Sequence, residues 1–247
     1  MIIFLIVNFA LIFFFTEDFH LDKDELLEEE EISFLETMRR VVKIFNLKGF
    51  KKYLFLILCK NVGMVYFMNV FSLVLIDKGL SKTSVSMLST LTIPFQLMFL
   101  VRFGNIKENL MQTAMRAQLF ISILSIFEII ILITFDFLDS YILLGIIFIK
   151  SVIGSYFYLK NLICHQGFFN RIVDRSLGAT YLTLLNSVNN LSGKWPTMLI
   201  YPGIDYLGST QVGVISVVVS FVIYFSSKNS FIDYEKKDKE EWKIKKE

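Results

Sequence analysis

The sequence predicts an all-α membrane protein built around a bundle of six membrane-spanning helices. Two observations predict it. Of the 247 residues, 54% are apolar and only 19% charged, with a mean hydropathy of +0.58, whereas soluble domains carry about a quarter charged residues. The charge is also segregated, because only Lys60, Lys150 and Lys194 interrupt the apolar runs, and those runs have the roughly 20-residue length that crosses the hydrocarbon layer.

Along the chain, residues 1–15 (MIIFLIVNFALIFFF) are apolar but short of a span. With no basic leader region and an acidic sequel, they read as the tail of a truncated transmembrane helix rather than a signal peptide. Residues 16–52 read as a hydrophilic cytoplasmic linker, acidic at first (Glu28–Glu31) and basic at its end (Lys51, Lys52). The bundle occupies residues 53–226, with spans expected at Tyr53–Ile76, Val85–Val101, Gln118–Phe135, Tyr141–Ile163, Gly178–Tyr201 and Gln211–Ser226. Residues 227–247 form a charged cytoplasmic tail. Between these spans, from linker to tail, Lys and Arg number 7, 2, 3, 0, 3, 0 and 7. The alternation places linker and tail on the cytoplasmic side. Six helices with both ends inside, preceded by a linker and part of an earlier helix, have the layout of the second half of a twelve-helix carrier.

Polar groups inside the spans carry the functional reading, since each is costly in lipid unless it meets protein or water. On a helix over Gly178–Pro196, Thr180, Thr183, Asn186, Ser187, Asn190 and Lys194 share roughly 120° of arc. Apolar residues, Tyr181 and Trp195 among them, fill the rest, and Asn189 lies between the two faces. Hydroxyls alone would suit glue between helices; three asparagines and a lysine suit a water-filled cavity. Trp195-Pro196, after Gly193, predicts a break or a helix end there. Lys150 heads a row with Gly154, Tyr158, Asn161 and His165 on one helix face, and Glu128, the acid deepest in a span, is a partner for one of the lysines. Ser89, Thr92 and Gln96 near Pro94, and Asn61, Asn69 and Ser72, form weaker polar faces that fit cavity or glue equally.

Several chemistries find no support. Cys59 and Cys164 lie in or near apolar runs and suggest no disulfide framework. His165 and His20 have no metal-site spacing, no phosphate-cradling glycine loop is present, and the net charge of +2 does not suggest a nucleic-acid partner. No cofactor is expected, and the chain does not read as an enzyme. A polytopic acyltransferase using His165 as base is the weaker alternative.

The stretch DRSLGATYLTLLNSVNNLSGKWP, from Asp174 to Pro196, resembles the signature of the acetyl-coenzyme A transporter family, part of the major facilitator superfamily. Gly178, Thr180, Tyr181, Thr183, Asn186, Asn190, Gly193, Trp195 and Pro196 carry the likeness, while Ser192 and Lys194 stand where that family has Gly and Asn. The resemblance implies the six-helix C-terminal half of a major-facilitator-type carrier, its N-terminal half missing from this chain. It also implies movement of acetyl-CoA across the endoplasmic reticulum membrane by alternating access. An inactive half-carrier fragment is the other alternative. Lys60, Lys150, Tyr181, Thr183, Asn186, Ser187, Asn190 and Lys194 are the candidate substrate-binding residues, offering charge and hydrogen bonds to a large phosphate-bearing anion. The lipid bilayer is the other expected partner.

Overall fold

The computed structural model describes residues 49–104, 106, 109–173, 178–237 and 242, with positions 39, 42, 44 and 45. At 178–180 it describes the backbone alone. The short helix expected at 1–15 and nearly all of the linker and the end of the tail lie outside the described residues. Apart from Arg39, the described residues belong to one compact unit, Arg40–Glu247.

That unit is helical throughout, with no strand among the described residues. Helix α1 (Phe50–Cys59) is followed, after a turn, by a π-helical stretch (Tyr66–Val70) and α2 (Phe71–Asp77). Then come α3 (Lys82–Phe103), α4 (Leu110–Thr134, closed by a 3-10 turn at Phe135–Phe137), α5 (Ser140–Ile172), α6 (Gly178–Ser192), α7 (Thr197–Leu207) and α8 (Ser209–Lys236). Four helical stretches are long and apolar enough to cross a membrane: Lys82–Phe103, Leu110–Phe137, Ser140–Ile172 and Ser209–Lys236. At about 1.5 Å per residue, the 33-residue α5 is roughly 50 Å long and outreaches the hydrocarbon layer. The spans expected at Tyr53–Ile76 and Gly178–Tyr201 are instead each divided, the first at residues 60–64 and the second at residues 193–196.

Local signals start and stop these helices. Ser81 caps α3, its hydroxyl accepting from the Ser84 amide at 3.0 Å. Asp139 caps α5 through the Tyr141 amide at 2.9 Å. The start of α4 is held from a distance: the Glu235 carboxylate accepts from the amides of Leu110 (2.6 Å) and Met111 (2.9 Å). That carboxylate both meets the free amides and opposes the positive end of the helix dipole.

Helix α4 is the centre of the packing, set against α5 on one side and α8 on the other, with α3 on α5 and α1 on α6. Close approach of the first break to α8 depends on Gly63. A Cβ there would stand 2.3 Å from the Ser220 amide nitrogen and 2.6 Å from the Ser216 carbonyl oxygen. Small residues at helix contacts serve this purpose in membranes. Ser122 of α4 and Ser220 of α8 then bond directly at 2.6 Å.

The last helix runs past the expected boundary at residue 226 to Lys236. Part of the region read as a charged tail is therefore core. Phe231 and Tyr234 are buried, and Trp242 packs with them on Tyr53, its ring 5.3 Å from that of Tyr53. The apolar residues outweigh the neighbouring charges once a partner surface is present.

Outward faces are apolar in stripes at helical spacing: Phe120, Ile123, Phe127 and Ile130 on α4; Ile142, Ile146, Ile149 and Ile153 on α5; Val214, Val218, Val222 and Phe225 on α8. Exposed apolar surface this continuous belongs against lipid. The interior carries polar groups such as Gln118, Ser122, Ser125 and Asn161.

Candidate functional site

Helix α6 breaks the pattern of apolar outside and mixed inside. Tyr181 and Leu185 are buried against α1, where the Tyr181 ring meets Phe50 edge to face at 5.5 Å. The opposite side shows Thr183, Ser187, Asn190, Leu191 and Lys194, all exposed. The spacings 183, 187, 190 and 194 are one face of a helix. Asn186 is half-buried at its edge, and its Oδ1 has no hydrogen-bond partner among the described residues; the same holds for Oδ1 of the buried Asn189. The polar face is thus held outward because the aromatic and leucine side chains of the other face are fixed in the core. Gly178 and Thr180 lie on the same helix by their backbone, and the side chain of Thr180 is outside the described part.

The signature residues after this face build its end. The chain turns at residues 193–196, and Pro196 stands immediately before α7, where a missing amide hydrogen is harmless. Gly193 offers its carbonyl oxygen to Asn69 Nδ2 at 3.0 Å, and the Trp195 indole donates to the Leu58 carbonyl at 3.0 Å.

The three lysines stand in three different environments. Lys194 is exposed beside the polar face of α6. Lys60 opens the first break and is 4% exposed; its backbone carbonyl accepts from Gln118 Nε2 at 3.2 Å. No hydrogen bond or ion pair to its ammonium is present among the described residues. Lys150 forms an ion pair with Glu128 and stands 5.2 Å from the centre of the Phe71 ring. Its charge is met inside the bundle, by the one acid the sequence places deep in a span. Both groups share the cost of leaving water, which the pairing offsets.

The row headed by Lys150 divides along α5. Asn161 and His165 are buried, whereas Tyr158 is exposed. Asn161 donates to the Ala114 carbonyl (2.9 Å) and to Gln118 Oε1 (3.2 Å), and Gln118 also reaches Met64 Sδ. Both ring nitrogens of His165 are buried with no hydrogen-bond partner among the described residues. Gln118 is the polar residue that sequence reasoning passed over. It stood at the expected start of a span, and its amide ties the first break, α4 and α5 into one network. The weaker faces act as links between helices: Gln96 of α3 donates to Ser155 of α5 at 3.2 Å, and Asn61 donates to Ser192 at 2.8 Å. Among the described residues, no three His, Cys, Asp or Glu side chains gather where a metal could sit.

Comparison with known proteins adds to this geometry. The family described as Acetyl-coenzyme A transporter 1 matches residues 118–245, just over half of the 247 residues. An uncharacterized membrane protein of Saccharomyces cerevisiae is 34% identical over 61 residues, which are 25% of this chain and 11% of the yeast protein. The chain therefore covers only a small part of that relative's length. No solved structure matches.

Proposed function

This chain belongs to the acetyl-coenzyme A transporter family, and we propose that it moves acetyl-CoA across the endoplasmic reticulum membrane by alternating access. The observation that carries the reading is the polar outward face of α6. On α4, α5 and α8 the outward stripes are apolar; on α6 the outward side chains are Thr183, Ser187, Asn190 and Leu191, with the exposed Lys194 just past its end. An ammonium and a row of amide and hydroxyl groups are not stable against acyl chains. This face therefore borders an aqueous path, with a second helical bundle as its opposite wall.

In this reading the helical segments on either side of the two breaks count as one span each. Added to the four continuous spans, they make the six-helix half of a major-facilitator-type carrier, with linker and tail on the cytosolic side. Lys194 and Asn190 offer a cation and amide donors to the phosphates of the ligand, and Asn186 offers an unpartnered acceptor to its adenine or pantetheine amides. Lys60 would join them as the breaks open, while Lys150 holds its place through Glu128. Tyr181 supports the site from behind by fixing the rotation of α6.

The test is uptake of labelled acetyl-CoA into proteoliposomes holding the protein together with the second bundle. Uptake should saturate with substrate and fall at least about tenfold when Asn186, Asn190 and Lys194 are all replaced by leucine, a loss of roughly 1.4 kcal/mol or more. Undiminished uptake by that triple variant would overturn the assignment of the polar face.

A further inference from the structure

Two segments of the bundle are interrupted, one at residues 60–64 and one at residues 193–196. At each interruption the turn's own carbonyls take up amides on its far side, but carbonyls at the end of the helix before it lose their intrahelical partners. In a membrane interior such groups need partners from the protein. Here the two interruptions supply each other. Trp195, in the second break, donates its indole N–H to Leu58 O at the end of α1. Asn69, just past the first break, donates its amide to Gly193 O in the second. Asn61 and Ser192 join them side chain to side chain at 2.8 Å. The three bonds link residues 124 to 137 positions apart.

We propose that these crossed breaks are a latch, and that Asn61, Asn69 and Trp195 are positioning residues for transport. The inference rests on the transport reading above. Its physical basis is reciprocity: opening either break strips the other of a capping partner, so the two segments yield together or not at all. The two sides of the latch differ in kind. The first break is wedged against α8 through Gly63, where no side chain fits, so its movement is coupled to that of α8. The second break ends α6, which carries the polar face. A ligand that draws on that face pulls against the latch, and the latch passes the pull to the first break.

Cys59, the last residue of α1, is a partly exposed native reporter one position before the first break, and Cys164 is buried. With Cys164→Ala as background, the whole protein is reacted with N-ethylmaleimide with and without acetyl-CoA, and acetyl-CoA binding is measured in parallel. Ligand should change the Cys59 reaction rate at least about threefold. Asn69→Leu and Trp195→Phe should bind acetyl-CoA within about threefold of the parent while the rate no longer responds, and Asn69→Gln, which keeps the donor, should restore the response. Variants that keep both affinity and response would overturn the latch. So would variants that lose affinity and thermal stability together, which is the signature of helix glue alone. If the parent itself does not bind acetyl-CoA, the transport reading fails separately. The latch then stands or falls on a double-mutant cycle of Asn61→Ala and Ser192→Ala, read by the Cys59 rate without ligand. Non-additivity of about threefold or more supports it, and additivity overturns it.

Discussion

Replacing Glu128 with glutamine keeps the side-chain shape and removes the negative charge from the pair with Lys150. Glu128 is 2% exposed and the Lys150 side chain 20%, so water can repay little of the loss. Breaking a buried pair costs about 3–5 kcal/mol, and a lysine at mid-bilayer costs about 2.5–3.5 kcal/mol on insertion scales. The Phe71 ring face remains beside the ammonium and returns up to about 1 kcal/mol. The expected net loss for Glu128→Gln is therefore about 3 kcal/mol. For a chain of this size it corresponds to a fall in Tm of roughly 6–12 °C. Glu128→Gln combined with Lys150→Gln removes both charges and should recover most of that loss, giving a coupling of about 2 kcal/mol. Thermal melts of the purified protein in detergent, followed by fluorescence of its two tryptophans, give the four values. A single variant as stable as the parent, or a double variant no better than either single, would refute the argument that Glu128 is what makes Lys150 tolerable.

Three further variants test the packing. Gly63→Ala forces a methyl into the backbone of α8 and should cost about 1–3 kcal/mol, whereas Gly145→Ala, with no atom within 4 Å of the added carbon, should stabilise α5 by up to about 1 kcal/mol; melting the pair side by side checks both signs. Glu235→Ala leaves the first amides of α4 without their acceptor and should lower stability by about 1–2 kcal/mol, with hydrogen exchange at Leu110 and Met111 rising well before the rest of α4 exchanges.

Much of this architecture was legible in one dimension. Apolar runs of span length marked α3, α4, α5 and α8, because a helix in lipid must be apolar over a fixed length whatever surrounds it. The polar face of α6 was legible for the same reason, since helical periodicity places residues 183, 187, 190 and 194 together without any tertiary contact. Proline and glycine announced the break near Trp195. The break at residues 60–64 carried no proline, and it exists because Gly63 lets α8 come close and because Trp195 caps the Leu58 carbonyl that it exposes.

Pairings were beyond the sequence. That Glu128 would seek a lysine followed from its depth in a span; that the lysine is Lys150, leaving Lys60 buried with no acid paired to it among the described residues and Lys194 exposed, depended on which helices became neighbours. Trp242 looked like part of a charged tail until Tyr53, Phe168 and Tyr234 offered it a surface. Composition and period act locally, through the solvent each residue can tolerate, and so they set which stretches are helices and which faces are polar. Partner choice is a matter of distance between residues far apart in the chain, and only the packed bundle decided it.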